Sequence, residues 1–186
     1  SEKNVTIQEL IVVLGTYLTG DDEKRRGQAT LLLVEVCNNL SAEPISISSN
    51  SIKHLAIFFR NRLSDFPSLL ASMKGLEVIV THHSDRVVPQ EEFIRGIAKS
   101  MSEVNVQSLS QSYRTVAYRV YMALLTNPAA RNCLGARTKP DEGGISAVIA
   151  CSEEEDRISF EFVDAVISAV DGERDPRALL VSLQLV

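Results

Sequence analysis

Apolar residues recur at helical spacing along nearly the whole chain. Ile7, Leu10, Ile11, Leu14 and Leu18 form one stripe, and Thr6 with Glu9 makes a capping box ahead of it. Asp21 and Asp22 break the pattern, and Ala29, Leu32, Leu33, Val36, Cys37 and Leu40 form a second stripe. Ile52, Leu55, Phe59 and Leu63 share a third face, preceded by a Ser/Asn cluster at 48–51 suited to capping a helix. Asp65 and Phe66 turn the chain, Pro67 suits a first helical position, and Leu69, Met73, Leu76 and Val80 follow. A third pair starts at Pro89 with Phe93, Ile97 and Met101 and returns through Tyr113, Val116, Ala117, Val120 and Leu124. A fourth uses Phe162, Val163, Val166, Ile167 and Val170, then Leu179, Leu180 and Leu183.

Paired stripes separated by polar turns predict helical hairpins. They begin near residues 6, 51, 89 and 158, and the first three are spaced roughly as HEAT and armadillo units are, about 40–47 residues apart. The turn DGERDPR, residues 171–177, supplies an elbow: Gly172 ends one helix, Asp175 caps the next and Pro176 opens it. Acid in an elbow followed by base on the second helix recurs as Asp22 with Arg25 and Arg26, Asp65 with Lys74, and Asp175 with Arg177. Such positions make ladders between stacked units. The pattern therefore predicts an all-α, HEAT/armadillo-like right-handed solenoid of about four hairpins, its second helices lining a concave wall.

One stretch departs from this. Residues 127–157 contain Pro, paired Gly and the acid run Glu153–Asp156, and read as an irregular insertion with accessible Cys133 and Cys151. Residues 145–151 suit a short helix within it. Residues 158–162 alternate as a strand would, but Val163 to Val170 carry the helical period onward, so a helix is predicted there.

Composition narrows the function. The chain of 186 residues is 45% hydrophobic and 23% charged, enough for a sizeable core, and its formal charge of −5 argues against general phosphate binding. No apolar run approaches the length of a membrane helix, and no signal peptide opens the chain. Three cysteines without motif spacing make neither a disulfide framework nor a zinc or iron–sulfur site. The adjacent His82 and His83 cannot face one metal from one side of a helix and read as a polar helix end; His54 reads as a surface residue. No phosphate loop, dinucleotide fingerprint or nucleophile elbow occurs, so no catalytic, cofactor-binding or metal residue is assigned and no enzyme is expected.

A binding surface is the remaining candidate. On the predicted wall, Arg119 and Met122 lie opposite Val120 and Leu124, and Lys24, Gln28 and Glu35 take corresponding positions on the earlier second helix. These five are the predicted protein-binding residues. Lys24, Arg25 and Arg26 give the basis for a rival reading, a nucleic-acid-binding or transport module, which the acidic balance disfavours.

The elbow stretch VDGERDPRALLV, residues 170–181, resembles a signature of the methyl-methanesulfonate-sensitivity protein nineteen family of HEAT-repeat proteins, first named for nucleotide excision repair. LGTYLT (14–19), FFRNRL (58–63), VQSL (106–109) and RTVAY (114–118) agree in pattern and order, and the likeness spans about 1–126 and 158–186. The resemblance implies that 1–186 is the N-terminal segment of a larger helical scaffold, in which the helix at Val186 continues. It implies a non-catalytic adaptor of cytosolic iron–sulfur protein assembly in cytoplasm and nucleus. Its clients would be apo-enzymes of DNA repair, replication and transcription, such as helicases and polymerases. A beta-propeller subunit and a small subunit would bind through the C-terminal region; no cofactor, direct nucleic-acid contact or membrane contact is implied.

Overall fold

In a computed structural model, residues 7–42, 47–134, 138–139, 147–148 and 153–182 are described. The fold is all-α: among the described residues, the one departure is a two-residue antiparallel ladder. The chain divides into two compact units, residues 1–88 and 89–186.

The first unit consists of α1 (Ile7–Thr19), α2 (Glu23–Ala42), α3 (Ser49–Asn61) and α4 (Phe66–His83), followed by a 3₁₀ turn, Ser84–Arg86. Thr6 of the expected capping box lies outside the described residues. Ser48 caps α3 as expected: its hydroxyl accepts from the Ser51 amide at 3.1 Å. Leu14 and Leu18 of α1 are buried, as are Ala29, Leu33 and Cys37 of α2. Leu32, placed in that stripe by its spacing, is instead half exposed, and Val34 takes the buried position. Pro67 is the second residue of α4, one place later than expected.

Two hairpins stack in this unit because neither can cover its apolar stripe alone. α1 packs on α2, α3 on α4, and α2 runs along α4. Enclosed in this way, α4 buries Leu69, Met73, Leu76, Ile79 and Val80, and also Ser68, Ser72 and His83. Each large apolar side chain so removed from water contributes about 1.5–3 kcal/mol. The close seam between α3 and α4 depends on Gly75, where an added Cβ would meet three carbons of the Phe59 ring at 2.6–2.7 Å.

The second unit contains α5 (Gln90–Ser102), a 3₁₀ turn (Val106–Ser108), α6 (Gln111–Thr126), α7 (Pro128–Leu134), β1 (Thr138–Lys139), β2 (Ala147–Val148), α8 (Glu153–Val170) and α9 (Pro176–Ser182). First helix packs on first, α8 on α5, and second on second, α9 on α6. Gly172 ends α8 with φ +78°, which only glycine adopts without strain, and the Asp175 carboxylate accepts from the amides of Arg177 and Ala178 at 2.9 and 3.2 Å. The elbow is built as its sequence predicts.

The stretch 127–157 differs from its expected form. The Asn127 side chain accepts from the amides of Ala129 and Ala130, Pro128 opens α7, and Ala130 and Cys133 are buried as α7 packs on α5 and α6. Cys133 is thus enclosed rather than accessible; Cys151 lies outside the described residues. Ala147–Val148, expected within a short helix, instead pairs with Thr138–Lys139, because hydrogen bonds to a second strand satisfy that backbone. α8 forms as predicted but starts at Glu153 rather than near 158, so the acid run belongs to its first turns. Within α8 the expected stripe is rotated: Phe162 and Ala169 are buried, while Val163 and Ile167 face water. Leu183 lies outside the described residues.

The seam at Gly75 gives a test. Ala at this position gains about 1 kcal/mol of helix propensity, but its Cβ would meet the Phe59 ring, which is fully buried. Gly75→Ala is expected to lower unfolding free energy by about 1–3 kcal/mol, the cost of overpacking, read as an earlier urea midpoint with unchanged slope.

Candidate protein-binding surface and the elbow latches

On α2, Lys24, Gln28 and Glu35 are exposed and, with Leu31, stand at positions i, i+4, i+7 and i+11, a single face. Leu31 is 39% exposed, an apolar side chain in a polar row that sequence patterning did not single out. On α6, in the other unit, Arg119 is exposed while Met122 is half-buried. The basic cluster beside the α2 row is largely committed elsewhere. Arg25 pairs with Asp22 at 3.3 Å, and Arg26 turns inward.

Arg26 forms the first of two latches. Its Nε and Nη2 donate to the Asp65 carboxylate at 2.8 and 2.9 Å, and its Nη1 donates to the Gly20 carbonyl at 2.7 Å. One guanidinium therefore holds its own elbow and the elbow of the next hairpin, in the bidentate geometry that only arginine offers. The Ser68 hydroxyl donates to the same carboxylate at 2.7 Å. The Arg26 hydrogen bond, aided by Ser68 and Arg62, holds the Asp65 carboxyl below its usual range. The close approach needs Gly27, where a Cβ would lie 2.6 Å from the Pro67 carbonyl oxygen. The expected partner of Asp65, Lys74, does not make this pair: the acid sits at the start of α4, level with the first turn of α2 and about two and a half turns from Lys74.

The second latch repeats the first. Arg114, like Arg26, is the fourth residue of its helix. Its Nε and Nη2 donate to the Glu173 carboxylate at 2.7 and 3.0 Å, and its Nη1 donates to the Leu109 carbonyl at 2.8 Å. The buried Tyr118 hydroxyl donates to Glu173 at 2.7 Å, and the amides of Arg174 and Asp175 donate to it at 3.0 Å. Gln107 adds its side-chain amide to the carbonyls of Ser168, Ala169 and Asp171. Glu173, not Asp175, is thus the acid that pairs across hairpins; Asp175 is occupied with capping. Donation from Arg114, then Tyr118 and the Asp175 amide, holds the Glu173 carboxyl down to about 2 despite its burial. Burial and the neighbouring carboxylate raise the Tyr118 phenol.

Other reactive groups are enclosed. Burial pushes the Cys37 thiol up to about 12, far from thiolate chemistry at neutral pH. His82 is exposed, but His83 is buried beneath the end of α4, and burial, then Arg86 and His82, lower its pKa. His54 is exposed, as its spacing predicts. No cluster of three potential metal ligands occurs among the described residues, and no described helix is long and apolar enough to cross a membrane.

Four of the stretches that carried the family resemblance thus have physical roles: residues 14–19 bury Leu14 and Leu18, and residues 106–109, 114–118 and 170–181 meet at one elbow. The model of the family MMS19_N, described as Dos2-interacting transcription regulator of RNA-Pol-II, matches residues 11–186. The chain belongs to the MMS19_N family. Among its relatives are the MMS19 nucleotide excision repair protein homologs of Homo sapiens, 27% identical over 190 residues, and of Dictyostelium discoideum, 25% identical over 182. The Arabidopsis thaliana homolog is 25% identical over 185 residues. Each match covers 98% of this chain but only 14–15% of the relative's length. No solved structure matches the chain.

The second latch sets an acid limit on stability. Glu173 has a folded pKa of about 2 against an ordinary 4.5, so the unfolded chain binds more protons in between. Its contribution is complete above about pH 4.5 and is lost as pH falls towards 2. Glu173→Gln is expected to lower stability at pH 7 and to flatten the stability–pH curve over that window. Arg114→Ala, which removes one partner of a pair whose acid is buried, is expected to cost about 3 kcal/mol. Urea titrations at pH 7, 5 and 3 check both.

Proposed function

We propose that this segment is a non-catalytic recognition surface of an MMS19-type adaptor that serves DNA repair and transcription. The observation that carries the reading is the solvent-facing row Lys24, Gln28, Leu31 and Glu35 on a helix latched through Arg26, in a chain of this family. Arg119 and Met122, on α6 of the other unit, are a separate candidate patch. Mixed charge around one apolar side chain suits a protein partner better than a phosphate backbone, and the inward commitment of Arg26 weakens the nucleic-acid alternative.

In this reading the adaptor belongs to the cytosolic iron–sulfur targeting machinery and works in cytoplasm and nucleus. Its clients are apo-enzymes of repair, replication and transcription, including DNA helicases and polymerases. The beta-propeller and small subunits bind elsewhere on the longer scaffold. The adaptor makes or breaks no bond. It holds a client beside the cluster-delivering subunits and so raises their effective concentration. Support comes from family membership, from the name of the relatives as excision repair homologs, and from the family description as a transcription regulator that interacts with Dos2.

The test is joint replacement of Lys24, Gln28, Glu35 and Arg119 by Ala, followed by capture of the repair helicase of the general transcription factor. Binding is expected to weaken about tenfold or more, as loss of a few central contacts does, with the melting temperature unchanged because all four side chains are exposed. Full retention of binding rejects the surface. Proximity labelling that finds no iron–sulfur assembly factor beside the full-length protein rejects the adaptor assignment.

A further inference from the structure

Where α5 ends, a groove of about 620 Å3 opens between it and α8, with residues 104–107 joining the lining. This volume lies within the range of about 300–1,000 Å3 common to ligand sites. The gap exists because α8 presents small side chains there: Ala165, Ser168 and Ala169 stand at i, i+3 and i+4. Val106 and Ala169 are buried and Val104 and Ala165 half-buried, which makes an apolar floor. The rim is acidic. Glu103, Glu161 and Asp164 line it, and Lys99 is the one cation among its described lining residues. The groove is preformed, because the Gln107 side-chain amide donates to the carbonyls of Ser168, Ala169 and Asp171 and so ties the 3₁₀ turn to the end of α8.

Two of these acids do nothing for the fold. Glu103 is the C-cap residue of α5, where the negative end of the helix disfavours a carboxylate. Asp164 stands exposed on α8, and neither acid makes an ion pair among the described residues. We propose that the groove between α5 and α8 is a docking site for an arginine-bearing segment of a partner protein. The aliphatic stem of the arginine lies on the floor of Val104, Val106, Ala165 and Ala169 while its charge stays at the rim. Glu103 comes from the end of α5 and Asp164 from α8, so the cation meets carboxylates on two walls. A guanidinium has five donors in one plane and can serve both; an ammonium is a compact point charge. The site lies on helices other than α2 and α6 and does not depend on the client reading of those helices.

The experiment is a titration of the isotope-labelled 186-residue protein with the capped tripeptide Ala-Arg-Ala, followed by amide NMR shifts. Saturable shifts confined to residues 99–107 and 161–169 are expected. The citrulline tripeptide, which keeps the shape and loses the charge, should bind at least about tenfold more weakly, as loss of charge-assisted hydrogen bonds implies. The double variant E103Q/D164N should weaken the arginine peptide by about tenfold as well, with its melting temperature within about 2 °C of the parent because both side chains are exposed. Equal binding of the citrulline peptide overturns the proposal, as does full binding by the double variant. Shifts of equal size at Asp21, Asp22, Glu91 and Glu92 overturn it by showing only diffuse attraction to an acidic protein. A lysine tripeptide or spermidine that binds as tightly as the arginine peptide overturns it too, by assigning the groove to cations at large.

Discussion

A helical hairpin has too little interior to bury its own apolar stripe, and everything in this protein answers to that constraint. Each of the two units meets it by laying one hairpin on another, second helix against second helix. Apolar packing alone leaves the sliding position of such helices weakly set. The arginine latches remove that freedom. A guanidinium at the fourth residue of one second helix grips its own elbow carbonyl and the acid of the next elbow. Hydrophobic burial supplies the drive, and a planar, directional group supplies the register.

The latches also explain why the charged residues nearest the elbows give little direct information about partners. Arg26 belongs to the basic trio that would attract a phosphate reading, but it is spent on Asp65. Glu173 lies in the most acidic-looking turn, but Arg114, Tyr118 and two backbone amides enclose it. The row proposed for recognition starts at Lys24, just past the elbow, and runs through Gln28 and Leu31 to Glu35.

Much of the fold was legible because helix caps and helical period are local signals. Ser48, Gly172 and Asp175 do what their positions announce. Facing was less legible. Where the apolar residues of a helix cover more than half of its circumference, as they do in α8 from Ile158 to Val170, spacing admits several stripes, and only the neighbours decide that Phe162 turns inward and Val163 outward. Pairing across hairpins was legible in kind but not in partner, since Asp65 and Glu173 meet arginines 39 and 59 residues away in sequence. α7 was missed because seven residues are too few to show a period, although Asn127 followed by Pro128 is a helix start that could have found it. The candidate residues Lys24, Gln28 and Glu35 of α2 lie at the surface as their spacing implies, and Met122 is more enclosed than its spacing suggests.

The elbow between α8 and α9 is a fixed ruler. Gly172 turns the chain, Glu173 reaches Arg114 and Tyr118, and Asp175 caps α9, three tasks within residues 171–175. Adding or removing one residue there would swing the carboxylate away from its guanidinium and leave the cap out of step with its helix. The number of residues in the elbow is therefore as much a part of the latch as the side chains themselves, since it sets the Arg114 grip and the α9 cap together.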